Sequence, residues 1–267
     1  MHRVRAILRK AGVKADTLVP LAGGDVSEVW RAGDYVVKTH ASPPPGMFLA
    51  EAKGLRQLAA AGALVPRVFW VGEEGIVLEY LPPGPEDYEA LAVMLAGLHQ
   101  KRQKAEYGGE PPLYLGTFPL PGGYGEDWGE FFLEKRIRPL LEATKPLLGG
   151  LYEEIPAALR RAPLPAEGPV LIHGDLWRGN VYMSEKGPAL IDPSAWVGER
   201  GVDLAMMRLF GGFPSRFWQA YEELLPIPPE VEAALPCYQL YFLLVHVKFF
   251  GAGYLSSLRR ALGACPR

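Results

Sequence analysis

Residues 171–180 read Leu-Ile-His-Gly-Asp-Leu-Trp-Arg-Gly-Asn, and residues 190–193 read Leu-Ile-Asp-Pro. An apolar run enters a tight His-Gly-Asp turn, Asn180 follows Asp175 by five residues, and a second apolar run delivers Asp192. Short apolar runs bounded by turn residues are typical of buried strands. The pattern therefore predicts two strand-like segments that carry an aspartate, an asparagine and a second aspartate to one place.

These residue types are the ones that phosphoryl transfer requires. The reaction needs a carboxylate that orients the attacking hydroxyl, and oxygen ligands that hold Mg²⁺ on the phosphates. His173, Asp175, Asn180 and Asp192 match the order and spacing of the protein-kinase signature, in which His-x-Asp is followed by asparagine and then by a second aspartate. A lone aspartate at a turn is more often a turn residue, but four matches in register favour catalysis. We predict that Asp175 accepts the substrate proton and that Asn180 and Asp192 hold Mg²⁺.

A second group of candidates lies upstream, between predicted strands. Gly23 and Gly24, within the segment 21–30, would let backbone N–H groups approach the phosphates of ATP, although an ordinary hairpin turn explains the same glycines. Lys38 follows on a strand, and Glu51 follows on the next predicted helix. A strand lysine that contacts phosphates and pairs with a helix glutamate is the kinase arrangement. We therefore expect all four residues to serve nucleotide binding.

The remaining pattern predicts an α+β, protein-kinase-like fold with two lobes. Alternating apolar residues and glycine turns predict strands within 17–40 and 67–81, and apolar residues at helical spacing predict a helix over 47–61. The proline-rich segment 82–85 predicts a linker. Beyond it we expect a surface loop over 108–125, a small β island within 169–191, and helices near 86–104, 126–147, 150–161, 202–209, 214–224 and 229–262.

This layout divides the chain into a nucleotide-binding lobe, residues 1–81, and a catalytic and substrate-binding lobe, residues 82–267. The last residues of the first lobe, Glu79, Tyr80 and Leu81, would then form a hinge whose backbone contacts adenine. Layout alone is an analogy and does not establish function.

Three further residues are weighed against simpler structural roles. Trp177 lies two residues after Asp175, so we expect it to contact the substrate, although most tryptophans only pack. His173 is a second candidate substrate contact, but it could instead tie the loop to the backbone. Asp203 begins a predicted helix, where it could be an N-cap or a carboxylate that braces the catalytic loop.

Composition narrows the function classes. The chain has 267 residues and a net charge of −2, so its overall charge gives no reason to expect nucleic-acid binding. The two cysteines provide no disulfide framework or zinc spacing. The longest apolar run, residues 238–250, is interrupted by polar side chains and is shorter than a membrane span, so we expect no membrane association. The first residues lead into no signal-peptide core, and a cytoplasmic location is the resulting expectation.

Several segments resemble the fructosamine-3-kinase (ketosamine-3-kinase) family. They are residues 127–132 (Asp-Trp-Gly-Glu-Phe-Phe), 173–180, 191–193, 198–205, 210–214 (Phe-Gly-Gly-Phe-Pro), 238–246 and 250–254 (Phe-Gly-Ala-Gly-Tyr). The resemblance implies a protein-kinase-like fold and ATP- and Mg²⁺-dependent phosphorylation of the sugar 3-hydroxyl of a ketoamine. That product is unstable, so the implied role is deglycation of glycated amines or proteins. Some relatives carry a cysteine in the glycine-rich loop, where this chain has Asp25, so a redox switch there is not expected.

Other functions stay open from the sequence. A kinase for another small alcohol, such as an aminoglycoside or choline, would use the same catalytic residues, although the only acidic cluster is that of Glu126, Asp127 and Glu130. A pseudokinase that only binds nucleotide would usually lack catalytic residues that are present here. The sequence leaves open the sugar, the amine carrier, and whether the protein is a monomer or a dimer.

Overall fold

The fold is described from a computed structural model, which covers residues 1–21, 27–103 and 106–266. Gly23, Gly24 and Asp25 therefore lie outside the described residues.

The helices are α1 (His2–Lys10), α2 (Met47–Ala60), α3 (Tyr88–Gln100), α4 (Trp128–Phe131), α5 (Arg138–Leu148), α6 (Leu151–Arg161), α7 (Gly201–Phe210), α8 (Ser215–Leu224), α9 (Pro229–Phe250) and α10 (Leu255–Ala264). The strands are β1 (Val19–Pro20), β2 (Glu28–Ala32), β3 (Tyr35–Thr39), β4 (Val68–Gly72), β5 (Gly75–Glu79), β6 (Tyr107–Gly109), β7 (Leu113–Leu115), β8 (Phe118–Leu120), β9 (Gly123–Gly125), β10 (Val170–Ile172), β11 (Val181–Ser184), β12 (Gly187–Leu190) and β13 (Trp196–Gly198).

The N-terminal region is an antiparallel five-stranded sheet in the order β1-β2-β3-β5-β4. Because side chains alternate along a strand, Val37 of β3 packs against α1 on one face of the sheet while Lys38 projects from the other face. The α1 side is closed by a small cluster that includes Ile7 and Val77, both fully buried. The alternation thus places Lys38 on the face of the sheet opposite α1, where it lines the cleft.

Helix α2 packs between this sheet and the C-terminal region, and one glycine permits its close approach. A Cβ atom on Gly54 would lie 3.1 Å from Cγ of Pro193 and 3.3 Å from Cβ of Ala195. Three residues earlier along the same helix, Glu51 faces the cleft. The small residue therefore lets α2 rest on the segment that follows Asp192.

The C-terminal region is mostly helical, and α9 lies at its centre. Twelve of its residues between Val231 and Val247 are buried, including Cys237. By length and composition, residues 229–264 are the one helical segment within the described residues that could cross a membrane, yet 61% of its most apolar window is buried. This segment includes the apolar run 238–250, and its burial is that of a core helix.

The segment 108–125 differs from the predicted surface loop. It contains parts of four short strands, of which β6 and β9 join β10 and β13 in a sheet of order β10-β13-β6-β9. The other two, β7 and β8, form a hairpin that turns at Gly116, whose φ is 57°. Each strand has only three residues, so local alternation was too short to reveal strands that are stabilised by pairing with distant segments.

The predicted helix over 126–147 is also more complex than expected. Between α4 and α5 the chain is π-helical over Phe132–Ile137. This segment carries Arg136, which is fully buried, with its guanidinium carbon 4.2 Å from the ring centroid of Trp196 and 4.8 Å from that of Phe131. The other predicted helices and the β island are confirmed, with ends that shift by a few residues. The exception is the single helix predicted over 229–262, which is two helices, α9 and α10, joined by a 3₁₀ turn over Gly251–Tyr254. The α+β arrangement of a β-rich region followed by a helical one is likewise confirmed.

Candidate active site

The His-Gly-Asp turn depends on a glycine that no other residue could replace without strain. Gly174 has a φ of 78°, in the left-handed region that side chains with a Cβ rarely adopt. A Cβ atom there would overlap the backbone carbonyl of Ser194. The same two segments are joined by the Ser194 N–H, which donates to the carbonyl of His173 over 2.9 Å. The turn therefore packs directly against the extended residues between Asp192 and β13.

The carboxylate of Asp203 fixes the backbone of this turn through hydrogen bonds. Its carboxylate accepts the backbone N–H of His173 over 2.8 Å and that of Gly174 over 2.9 Å, and it also lies 3.3 Å from Nε2 of His99. Asp203 is fully buried within α7, whose N-cap is Arg200. Of the two roles weighed from the sequence, the structure shows the brace and not the cap.

The ring of His173 lies outside the cleft, contrary to its expected place as a substrate contact. It is fully buried, and its Nε2 is 2.9 Å from the carbonyl of Ile191 while its Nδ1 accepts the N–H of Asp175 over 3.3 Å. Burial lowers the pKa of His173, which agrees with a neutral ring that donates through Nε2. His173 thus ties the catalytic loop to the strand that delivers Asp192.

Asp175 and Asn180 lie side by side in the cleft. The Asn180 amide donates to the carbonyl of Asp175 over 2.7 Å and to its carboxylate over 3.1 Å. Burial, and next the nearby Asp192 carboxylate, raise the pKa of Asp175 to about 7, against the opposing effect of the Asn180 hydrogen bond. A carboxylate in this range is well suited to accept a proton near neutral pH.

Lys38 joins the N-terminal sheet to the catalytic segments. Its ammonium contacts the carboxylate of Asp192 and lies 2.8 Å from that of Glu51. Burial by itself lowers the pKa of Lys38, but the two carboxylates outweigh it and hold the pKa above its ordinary value. The fold therefore brings the predicted lysine together with the helix glutamate and the second aspartate. Lys38 and Asp192 are 154 residues apart in the sequence.

These side chains line one cavity of about 330 Å³. Its walls include Asp175, Asn180, Asp192, Lys38 and Glu51, and Trp177 lies at the same opening with 41% of its surface exposed.

The hairpin β7–β8 supplies a wall that sequence reasoning missed. Leu113 and Tyr114 line the cavity, and the Tyr114 carbonyl accepts the hydroxyl of Ser194 over 2.6 Å. The Tyr114 hydroxyl in turn donates to the carbonyl of Pro45 over 2.8 Å. The local signal for a hairpin was Gly116 between two apolar stretches, each only three residues long.

The predicted hinge lies beside a different cavity. Glu79 and Tyr80 line a space of about 700 Å³ together with Arg31. The Arg31 guanidinium carbon lies 3.7 Å from the ring centroid of Tyr80, and Leu81 is buried. The N–H groups of Glu79 and Tyr80 are used within the protein, whereas the N–H of Leu81 has no backbone partner among the described residues. If the backbone of this segment donates a hydrogen bond to adenine, the donor would thus be the N–H of Leu81.

The oxygen atoms in the cleft fit a magnesium ion better than a softer metal. Asn180 uses its amide nitrogen toward Asp175, which leaves its carbonyl oxygen free to face a cation, and Asp192 adds a carboxylate. Asp192 is the one non-glycine residue with a positive φ, 55°, among the described residues, a strained conformation that is frequent at ligand sites. In the described part of the chain no group of three or more His, Cys, Asp or Glu side chains is arranged to hold a metal ion by itself. Magnesium commonly takes one or two protein oxygens and completes its shell with phosphates and water.

Comparison with known proteins places this geometry in a family. The sequence model described as fructosamine kinase matches residues 3–266. The chain belongs to the fructosamine kinase family. A member named probable ketoamine kinase, from Thermus thermophilus, is 62% identical over 260 residues, which are 97% of this chain and 98% of that protein. Another of that name, from Enterococcus faecium, is 36% identical over 92% of this chain and 94% of that protein.

Solved structures confirm the kinase-like fold of this fructosamine kinase family member. A proposed fructosamine-3-kinase from Thermobifida fusca superposes with a TM-score of 0.87 at 30% identity, covering 98% of this chain and 97% of that one. The gentamicin complex of the aminoglycoside phosphotransferase APH(2")-IIa gives a TM-score of 0.66 at 16% identity, covering 99% and 95% of the two chains. At that identity the second likeness shows the fold alone. The chain is thus an enzyme of the fructosamine kinase family with a protein-kinase-like fold.

Proposed function

We propose that this chain transfers the γ-phosphoryl group of ATP to the sugar 3-hydroxyl of a ketoamine, and so initiates the removal of the sugar from a glycated amine. The single observation that carries the proposal is the convergence of Asp175, Asn180, Asp192, Lys38 and Glu51 on one cavity. Membership of the fructosamine kinase family supports the ketoamine acceptor. The aminoglycoside phosphotransferases are similar in fold only, so their acceptors receive no comparable support.

Asp175 is the proposed proton acceptor. In the reaction the acceptor hydroxyl oxygen forms a bond to the γ-phosphorus, the bond from that phosphorus to the bridging oxygen of ATP breaks, and the hydroxyl proton passes to Asp175. Because the pKa of Asp175 is raised to about 7, its carboxylate can accept the hydroxyl proton near neutral pH. Trp177, exposed at the cavity mouth, is the proposed contact for the sugar.

Asn180 and Asp192 are the proposed magnesium ligands, and Lys38 is the proposed phosphate contact, held by Glu51. Bound magnesium would neutralise charge on the ATP phosphates. The chain's own contribution is placement, since hydrogen bonds and ion pairs fix each of these side chains. The glycines at 23 and 24, and the segment 79–81, complete the proposed nucleotide site.

The division into a nucleotide-binding lobe, residues 1–81, and a catalytic lobe, residues 82–267, is part of the same proposal. It is supported by the sheet that supplies Lys38 and the helical region that surrounds Asp175. A cytoplasmic location is likewise proposed, supported by the burial of α9.

The test is ATP consumption by the purified chain with Mg²⁺ over a panel of acceptors: fructoselysine, ribuloselysine, erythruloselysine, an aminoglycoside and choline. Turnover confined to the ketoamines supports the proposal and ranks the sugars. Turnover on an aminoglycoside or choline alone would refute the ketoamine acceptor. Nucleotide binding without turnover on any acceptor would favour a pseudokinase. The position of the phosphate on the sugar follows from nuclear magnetic resonance of the product.

A further inference from the structure

Arg178 belongs to the catalytic segment but is not among the described residues that line the cavity. It follows Asp175 by three residues and precedes Asn180 by two. Residues 178–180 form a single 3₁₀ turn, and the cavity is lined by Trp177 before this turn and by Asn180 at its end. The role of Arg178 therefore depends on the hydrogen bonds that its guanidinium group makes elsewhere.

Hydrogen bonds between Arg178 and Val181 close a ring that includes Asn180. The Val181 N–H donates to the backbone carbonyl of Arg178, and Nη1 of Arg178 donates to the carbonyl of Val181 over 2.8 Å. The Asn180 N–H donates to the carbonyl of Trp177 over 3.0 Å. These bonds fix the backbone on both sides of Asn180, and they therefore limit the positions that its side-chain oxygen can take.

The other two nitrogen atoms of the guanidinium group attach this turn to the start of α3. Nε of Arg178 donates to the hydroxyl of Tyr88 over 2.9 Å, and Nη2 donates to the carboxylate of Glu86 over 3.1 Å. The Tyr88 hydroxyl donates to the same carboxylate over 3.1 Å, and Tyr88 is itself buried. Three nitrogen atoms of one planar group thus bond three different acceptors, which fixes the orientation of the group.

The Phe-Gly-Gly-Phe-Pro motif, residues 210–214, packs against the aliphatic part of the same side chain. Gly212 has a φ of 84°, and a Cβ atom there would lie 2.9 Å from Cβ and 3.1 Å from Cγ of Arg178. A larger residue at position 212 would therefore push against the arginine. The glycine of this motif leaves room for Arg178 beside the catalytic turn.

We infer that Arg178 is a positioning residue for Asn180: it fixes the 3₁₀ turn against α3 and the motif 210–214, and so holds a proposed magnesium ligand in place. The inference rests on the proposed function, because it takes Asn180 to be such a ligand. Loss of a residue that orients a metal ligand typically lowers metal affinity or activity by about 10- to 100-fold. The effect of removing Arg178 should therefore appear in the magnesium dependence.

The test measures ADP affinity by calorimetry, once with saturating Mg²⁺ and once with EDTA, in the wild type and in variants. Arg178→Ala removes all three side-chain donors, whereas Tyr88→Phe removes one acceptor and keeps the buried ring. The matched control is Arg216→Ala. The Arg216 guanidinium carbon lies 5.1 Å from the centroid of the same Tyr88 ring, and its Nε lies 3.9 Å from the carboxylate of Glu89.

We expect Arg178→Ala to weaken ADP binding in Mg²⁺ by about tenfold and to leave binding in EDTA within about twofold of the wild type. The Mg²⁺ concentration for half-maximal turnover should rise by a similar factor, and KM for the acceptor should change less. Tyr88→Phe should shift the magnesium dependence in the same direction by about threefold, because one hydrogen bond is lost. Arg216→Ala should keep the wild-type values.

A double variant of Arg178→Ala and Tyr88→Phe adds a second criterion. Because Tyr88 acts through Arg178, the double variant should be no worse than Arg178→Ala alone. Fully additive losses would contradict this route. The single variant Tyr88→Phe keeps the inference testable if Arg178→Ala fails to fold, since its ring still fills the same buried space.

Several outcomes would overturn the inference. An unchanged magnesium dependence in Arg178→Ala would do so, as would equal losses of ADP affinity in Mg²⁺ and in EDTA, which indicate general damage to the nucleotide site. A similar loss in Arg216→Ala would assign the effect to the charge of this surface. If Mg²⁺ does not affect ADP binding by the wild type, the proposed magnesium ligands are refuted, and the inference is refuted with them.

Discussion

Replacement of Asp203 by asparagine tests how much the brace below the catalytic turn contributes to stability. The carboxylate accepts three hydrogen bonds through two oxygens, from the N–H groups of His173 and Gly174 and from His99. Asparagine has nearly the same shape but only one acceptor oxygen. Whichever way its amide turns, an N–H group of the side chain must face a buried N–H group of the protein.

The expected loss follows from these contacts. A buried N–H left without an acceptor costs about 1–3 kcal/mol, and the remaining bonds lose their charge-assisted character, which adds about 1 kcal/mol. The sum, roughly 2–4 kcal/mol, is a large part of the ~5–15 kcal/mol by which domains are usually stable. In a chain of this size it corresponds to a fall in melting temperature of roughly 4–16 °C.

The assay is urea unfolding of Asp203→Asn against the wild type, with kcat measured in parallel. The matched control is Asp127→Asn, because the exposed Asp127 caps α4 by accepting a single bond from the Glu130 N–H, over 2.7 Å. Asparagine caps helices about as well as aspartate, so this variant should lose less than about 0.5 kcal/mol. A loss below about 1 kcal/mol in Asp203→Asn would refute the brace.

Three further predictions concern the catalytic residues. Asp175→Ala should lower kcat by at least about 10²-fold because the proton acceptor is removed. Calorimetry should show unchanged nucleotide binding in this variant. Turnover like that of the wild type would disprove the assignment of Asp175 as the base. As the pH is lowered below about 7, log kcat/KM should decrease. Burial and the Asp192 carboxylate raise the pKa of Asp175 to about 7, and a protonated carboxyl group cannot accept the hydroxyl proton. A flat profile down to pH 5 would contradict this. Lys38→Met should lower kcat/KM for ATP by about 10²-fold through loss of the phosphate contact, and an unaltered value in steady-state kinetics would argue against that role.

The N-terminal fold was predictable because its signals are local. Glycines separate strands long enough to alternate, and so β2, β3 and α2 form near their expected bounds. The convergence of Lys38, Glu51 and Asp192 was also predictable, because the order of the motif residues implies one cleft.

What escaped prediction depends on contacts between distant segments. The strands within 108–125 are three residues long and are stabilised by pairing with strands elsewhere or within a hairpin. The burial of His173 depends on Ile191 and Asp203, whose positions a local pattern does not give. Trp177 could be located on the catalytic segment from the sequence, but its exposure could not.

The double engagement of Lys38 has a consequence for the order in which ligands bind. Its single positive charge already offsets part of the two negative charges of Glu51 and Asp192. A divalent cation arriving alone would have to displace an ammonium group from Asp192 without offering that group a new partner. A nucleotide that arrives with its cation exchanges both contacts at once, since its phosphates receive the lysine as the cation takes the carboxylate. Metal and nucleotide should therefore bind with positive cooperativity, each strengthening the affinity for the other by the same factor.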